Sequence, residues 1–204
     1  AADPDQYLSG MERQVRALSA LVDDLQLHSR LISGTIELRR MRLDLTELAD
    51  EAMETVRPIA SARNIALLPE ATQRVLVDAD GSQLARVVRN LLENAIRHAP
   101  DGSVVLVQID ERDALATLRV VDQGPGFPTD FKDHAFEPFT RADPARDTRT
   151  GTAGLGLSIV RTLVTTELNG QISMRAAKAA DLAAAVVAAA DRARERAAAA
   201  RAAP

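Results

Sequence analysis

Apolar residues recur along this chain with a period that changes from segment to segment. From Met11 to Ile32, Val15, Leu18, Val22 and Leu25 alternate steps of four and three, and Leu21 and Leu31 widen the stripe. That spacing predicts a helix whose seam suits a coiled coil or bundle. Ser33-Gly34 ends it, and the partial alternation of Ile36 to Leu45 predicts a strand. Asp44 followed by Glu47 has the form of a capping box, opening a helix to about Ala60. Ile65 to Leu68 and Val75 to Val77 predict short strands, separated by Pro69 and polar residues. Asp80 and Gly81 precede a strong helical pattern, Ser82 to Ala99, which Pro100-Asp101-Gly102 stops. Val104 to Ile109 and Ala116 to Val121 predict a hairpin across a charged turn. Gln123 to Ala153 is long and irregular, a kind of segment that is usually functional inside a compact domain. Leu155 to Leu168 predicts a helix, and Gln171 to Arg175 a short strand. The stretch Ala176 to Pro204 is mostly alanine with scattered charges, and it reads as a solvated helix with little to bury beyond Leu182, Val186 and Val187.

Composition narrows the classes. The chain has 204 residues, 46% apolar and 26% charged, enough for a packed core of one ordinary domain with extra elements, or of two small ones. A net charge of -4 without a polybasic run gives no footprint for nucleic acid. Cysteine is absent, which excludes disulfides and thiolate metal sites. The sequence shows neither a secretory signal nor a bilayer-spanning apolar run and reads as soluble, whether alone or as part of a membrane protein. There is no tryptophan, so the core must come from Leu, Val, Ile and Ala. All four phenylalanines (Phe127, Phe131, Phe136, Phe139) fall in one loop-like stretch, which suits a lid or docking segment as well as a small cluster under a long loop.

Three constellations carry candidate chemistry. On the Ser82 to Ala99 helix, Leu84, Val87, Val88, Leu91, Leu92 and Ala95 form one apolar face, and Asn90, Asn94, Arg97 and His98 share the neighbouring one. Asparagine is a mediocre helix former, and its amide oxygen suits Mg²⁺. Taken alone, the stripe is better explained by a solvated face. Next, Asp122 ends an apolar strand and is followed by Gly124 and Gly126. A carboxylate there can accept from an exocyclic amine such as adenine's, and the glycines let backbone approach a flat ligand; a plain turn explains the same residues. Third, Gly151-Thr152-Ala153-Gly154-Leu155-Gly156-Leu157 leads into a helix, where free amides can bind phosphate. No Lys-Ser or Lys-Thr follows, so this is not a Walker loop.

The order and spacing of the three sets, with a Phe-x-x-Phe between the last two, resemble the catalytic ATP-binding domain of bacterial two-component histidine kinases. This fold is shared with gyrase, Hsp90 and MutL. "NLLENAIRHAP" is similar to that family's asparagine box, "VVDQGPGF" to its first glycine box, "FEPFTRAD" to its phenylalanine box and "GTAGLGLSIV" to its second glycine box. The resemblance covers about Thr35 to Arg175. It extends weakly to "LSALVDDLQLHSRL", which resembles the second helix of the dimerisation and phosphoacceptor hairpin.

The resemblance implies roles for individual residues. Asn94 would ligate Mg²⁺ bridging the ATP phosphates, with Asn90 one turn earlier on nucleotide or metal. Arg97 would face phosphate, and these three are the candidate catalytic residues. His98 would line the adenine or ribose side, and Asp122 would bind the adenine amino group between Gly124 and Gly126. Phe136 and Phe139 would anchor the lid, and Arg141 would reach phosphate. Thr152, Gly154, Leu155, Gly156 and Leu157 would form the phosphate-cradling turn. His134 reads as a solvated lid residue. His28 is followed by Ser29-Arg30-Leu31-Ile32, unlike the family's acceptor histidine, and reads as a seam or flanking position.

The expectation is therefore an α+β two-layer sandwich of the histidine kinase-type ATPase fold, with a coiled-coil-like N-terminal helix and an Ala-rich helical tail. Its expected parts are 1–33, a partial hairpin; 34–175, the ATP-binding domain; and 176–204, the tail. The resemblance implies ATP and Mg²⁺ as cofactors and transfer of the γ-phosphate to a histidine on another segment or partner. It also implies a response regulator downstream, a possible homodimer through the N-terminal helix, and a cytoplasmic location. The family's final strand has no counterpart, since the alanine-rich stretch stands in its place. Two alternatives are a regulatory or structural nucleotide-binding module without transfer activity, and an ATP hydrolase. The hydrolase branch carries glutamate where Asn90 stands, and an amide cannot act as general base on water.

Overall fold

A computed structural model describes residues 11–167, except 12–13, 16–17, 20, 24, 28, 32, 34–36, 72, 128–130, 132–133 and 141–153. The described residues fall into two compact units. One is residues 38–126; the other joins the N-terminal helical residues to the segment from 127 onward. The predicted strand Gln171 to Arg175 and the alanine-rich tail lie outside the described residues, as does His28.

The 38–126 unit opens with β1, Met41–Asp44, antiparallel to β3, Leu76–Ala79. A second sheet has the order β2-β4-β5, from β2, Ala66–Ala71, β4, Val104–Arg112, and β5, Leu115–Val121. Strand β2 runs parallel to β4, and β5 antiparallel to it. Helix α1, Leu45–Ser61, and helix α2, Gly81–His98, pack on each other; both contact β4, with α1 also reaching β2 and α2 reaching β5. The result is the expected two-layer arrangement of helices on a mixed sheet.

Each element has a local cause. The buried residues of α1 (Leu45, Ala49, Ala52, Met53, Val56, Ala60) recur at helical spacing on one face. Asp44 caps the helix, its side chain accepting from the Thr46 amide at 2.9 Å. Leu45 is the first helical residue, so the strand predicted over Ile36 to Leu45 shrinks to four residues ending at the cap. Asp80 caps α2, with Oδ1 accepting from the amides of Ser82 at 3.0 Å and Gln83 at 3.1 Å. Its Oδ2 accepts from the Arg39 amide at 3.0 Å, fastening the approach to β1 onto the helix start. In α2, Ile96 is buried and Leu91 only half-buried, a one-position rotation of the predicted apolar face. Pro69 lies inside β2 instead of ending it. An edge strand tolerates the missing N–H because it pairs on one side only. The hairpin turns through Asp113 (φ 52) and Ala114 (φ 60), two consecutive left-handed residues that match a type I′ turn. Val105, Leu106 and Val107 are all buried, so both faces of β4 are covered there.

In the other unit, the described residues between 11 and 31 are helical. Leu27 and Leu31 are buried, and the seam residues Val15, Leu18, Val22 and Leu25 are exposed. The helix predicted from Leu155 to Leu168 is α3, Gly156–Thr162, continued by a π-helical turn, Leu163–Glu167. No helix among the described residues is long and apolar enough to cross a membrane.

Candidate functional site

Helix α2 carries the polar stripe that the sequence singled out. Asn90, Asn94, Arg97 and His98 are all half-buried, whereas a freely solvated face would be exposed. Leu84, Val88, Leu92, Ala95 and Ile96 hold the opposite side in the core, which fixes the rotation of the helix and so the direction of the stripe. Glu93 lies off the stripe and pairs with Arg89 at 3.9 Å, both side chains partly open to solvent.

Strand β5 delivers Asp122 immediately after Val121. The Gly124 amide donates to Oδ1 of Asp122 at 2.7 Å, closing a tight turn. A Cβ on Gly124 would lie 2.6 Å from that oxygen and 2.7 Å from the His98 carbonyl oxygen, so only glycine fits. The structure thus brings the first glycine box against the last residue of the asparagine helix. Gln123, which no motif singled out, accepts from the Val104 amide at 2.9 Å through Oε1, tying the loop to the start of β4. Gly126 has φ +73, a left-handed conformation that glycine adopts freely.

The phenylalanine box and second glycine box meet in the other unit. The Phe139 amide donates to the Gly154 carbonyl at 3.1 Å. Gly154 has φ +70, and a Cβ there would come within 2.8 Å of the Thr140 carbonyl oxygen. Phe139 itself has φ 64 with an exposed ring; Phe136 is half-buried, with the Arg161 guanidinium 6.0 Å from its ring centroid. The rings of Phe127 and Phe131 stack at 5.5 Å. Leu155 is buried, Gly156 and Leu157 half-buried, and Leu155 gives α3 no side-chain cap. His134 pairs with Glu137 at 2.9 Å, with both side chains exposed. Arg141 and Thr152 lie outside the described residues.

Among the described residues, no group of three or more His, Cys, Asp or Glu side chains is arranged to hold a metal. The donors on the stripe are neutral amides. Such a set fits Mg²⁺ arriving with phosphate and water, an ion that needs few protein ligands.

The family model for histidine kinase-, DNA gyrase B- and HSP90-like ATPases matches residues 79–190. The probable sensor histidine kinase TcrY of Mycobacterium tuberculosis is 34% identical over 84% of this chain and 36% of its own length. Among solved structures, the mycobacterial sensor histidine kinase MprB is 35% identical with a TM-score of 0.55, covering 63% of this chain and 80% of that one. Full-length ShkA in complex with AMPPNP is 26% identical with a TM-score of 0.68, covering 81% of this chain and 34% of that one. The chain spans a little over a third of the length of the first curated relatives it matches.

Proposed function

Because the chain belongs to the histidine kinase-, DNA gyrase B- and HSP90-like ATPases, we propose that it acts as the ATP-binding catalytic module of a two-component sensor kinase. In this reading it transfers the γ-phosphate of Mg-ATP to a histidine on another segment or a partner protein. A response regulator then takes the phosphoryl group onward. The observation that carries the reading is the half-buried amide pair Asn90 and Asn94 on α2, next to the pinned carboxylate turn at Asp122.

Phosphoryl transfer asks the protein mainly for positioning and charge neutralisation. Oδ1 of Asp122 is engaged by Gly124, which orients the carboxylate and leaves Oδ2 to accept from the adenine amino group. Gly124 and Gly126 keep the base pocket free of side chains. Asn94 would hold Mg²⁺, with Asn90 on nucleotide or metal, and the ion when bound would supply charge neutralisation at the phosphates. Arg97 faces phosphate from the last turn of α2, and His98 lines the adenine or ribose side. By the family resemblance, Gly154, Leu155, Gly156 and Leu157, with Thr152, would form the phosphate turn. By the same resemblance, Phe136 and Phe139 would anchor the lid and Arg141 would contact phosphate. Hydrolase chemistry is disfavoured because Asn90 cannot take a proton from water and Glu93 is turned toward Arg89.

The test is incubation with labelled ATP, with and without a separate phosphoacceptor hairpin protein. The expected result is acid-labile phosphohistidine on the hairpin and none on the isolated chain. ATP binding without transfer to any hairpin would support a regulatory nucleotide module instead. Phosphate on His28, lost in His28→Gln, would overturn the assignment of the acceptor.

A further inference from the structure

Helix α2 ends in an unusual way. Its C-cap, Ala99, has φ -64 and ψ 145, so no left-handed residue folds the following amides back onto the last carbonyls. Pro100 explains the extended Ala99, because a residue before proline is pushed out of the helical region. Pro100 also lies four positions after Ile96 and has no N–H, so the Ile96 carbonyl cannot receive the usual helical bond. Four carbonyls at a helix end need partners from elsewhere.

Arg63 supplies two of them and also binds the carbonyl of the cap residue. It stands in the turn after α1, where Asn64 is left-handed at φ 53. Its Nη1 donates to the Ile96 carbonyl, and to the Arg97 carbonyl at 2.9 Å; its Nη2 donates to the Ala99 carbonyl at 2.9 Å. Nε donates to Asp101 Oδ1 at 2.7 Å, which holds the planar group in place. The Arg63 carbonyl accepts from the Gly102 amide at 3.0 Å, closing the contact from the backbone side. One guanidinium therefore binds the backbone of the turn that presents Arg97 and His98. The positive charge also suits the negative end of the helix dipole.

We propose that Arg63 is a positioning residue for the nucleotide: it replaces the N–H that Pro100 lacks and so fixes the turn from which Arg97 acts on the phosphate end and His98 on the adenine or ribose side. The inference rests on the nucleotide site proposed above. Arg63 touches no ligand in this scheme. Its effect is on where the last turn points.

The experiment compares wild type, Arg63→Ala, Arg63→Lys and the double variant Arg63→Ala with Pro100→Ala. Binding of Mg-ATP and of adenosine is measured by calorimetry, and amide hydrogen exchange is followed at residues 97–99. Arg63→Ala is expected to weaken Mg-ATP on the order of tenfold, because the turn carrying Arg97 and His98 loses its charged hydrogen-bond partner, and adenosine by less, because adenosine has no phosphate contact to lose. Exchange at 97–99 should quicken. Pro100→Ala restores an N–H opposite the Ile96 carbonyl and should recover part of both effects. Arg63→Lys keeps one donor arm and should fall between; it also carries the test if Arg63→Ala does not fold. Unchanged Mg-ATP affinity, or unchanged exchange at 97–99, in folded Arg63→Ala would overturn the positioning role. Failure of wild type to bind Mg-ATP, with exchange still faster in Arg63→Ala, would instead overturn the nucleotide site on which the inference rests.

Discussion

Gly124 donates its amide to Oδ1 of Asp122 at 2.7 Å while its Cα sits against the His98 carbonyl, leaving no room for a side chain. One short turn therefore aims a carboxylate and docks the end of β5 onto the end of α2. The first two predictions follow from it.

Asp122→Ala removes the proposed acceptor for the adenine amino group. Affinity for ATP should fall by about 1.5–3 kcal/mol, the usual worth of a hydrogen bond to a charged group. Calorimetry with ATP and GTP checks this. Wild type should prefer ATP, and the variant should lose that preference. Equal affinities in wild type would remove Asp122 from the base pocket.

Gly124→Ala should damage both fold and site. The new methyl would meet the Asp122 carboxylate oxygen and a backbone carbonyl, neither of which can move cheaply. Overpacking of this kind costs about 1–3 kcal/mol. Urea denaturation should show that loss, with nucleotide binding reduced alongside. An unchanged midpoint would mean that the turn relaxes.

Asn94→Ala tests the metal assignment. Asn94 is half-buried on the polar side of α2, so stability should change by less than about 1 kcal/mol. Mg²⁺-dependent transfer to a hairpin substrate should be abolished. A variant with normal transfer and normal Mg²⁺ dependence would take Asn94 out of the site.

Acid stability follows from the two capping carboxylates. The Asp80 carboxyl is held below its ordinary value by the Ser82 hydroxyl, against a cost of burial, with the amides of Arg39, Gln83 and Ser82 adding to the effect. For Asp44 burial raises the value most, yet the Arg74 guanidinium and the amides of Thr46 and Glu47 together bring it down. Both groups titrate lower folded than unfolded. Their stabilisation is therefore complete above the ordinary carboxylate range, near 3.8, and is lost as pH falls through the depressed folded values. Asp80→Asn should be less stable than wild type at neutral pH, and the gap should close in acid. A gap independent of pH in urea denaturation would assign the cap's worth to geometry alone.

The elements that were legible in the sequence were those with a strong local signal. Asp44 and Asp80 mark the starts of α1 and α2, because a short acidic side chain before an apolar-periodic run has few other uses. Gly124 and Gly154 stand in glycine-rich runs at which the backbone comes too close for a side chain, so the tight turns are legible from glycine placement. Less legible were features set by partners distant in sequence. Pro69 looked like a strand breaker, and only the edge position of β2 makes it harmless. Leu91 and Ile96 are equally apolar, and the packing of α2 on α1 and the sheet chose Ile96 for the core.

By itself, the sequence determined the composition of the candidate site: two amides in place of an amide and a carboxylate, one strand-terminal aspartate, and glycines where backbone must come close. Periodicity determined which helix carries the polar stripe, since side chains three and four apart share a face whatever surrounds them. Only the tertiary structure decided that Gly124 closes on His98 and that Arg63 serves the carbonyls near Pro100. Those contacts join residues more than twenty positions apart, and hydrogen bonds between such residues exist only once packing has brought their backbones within about 3 Å. No local pattern records them, because each end is an ordinary arginine, glycine or carbonyl until the fold supplies its partner.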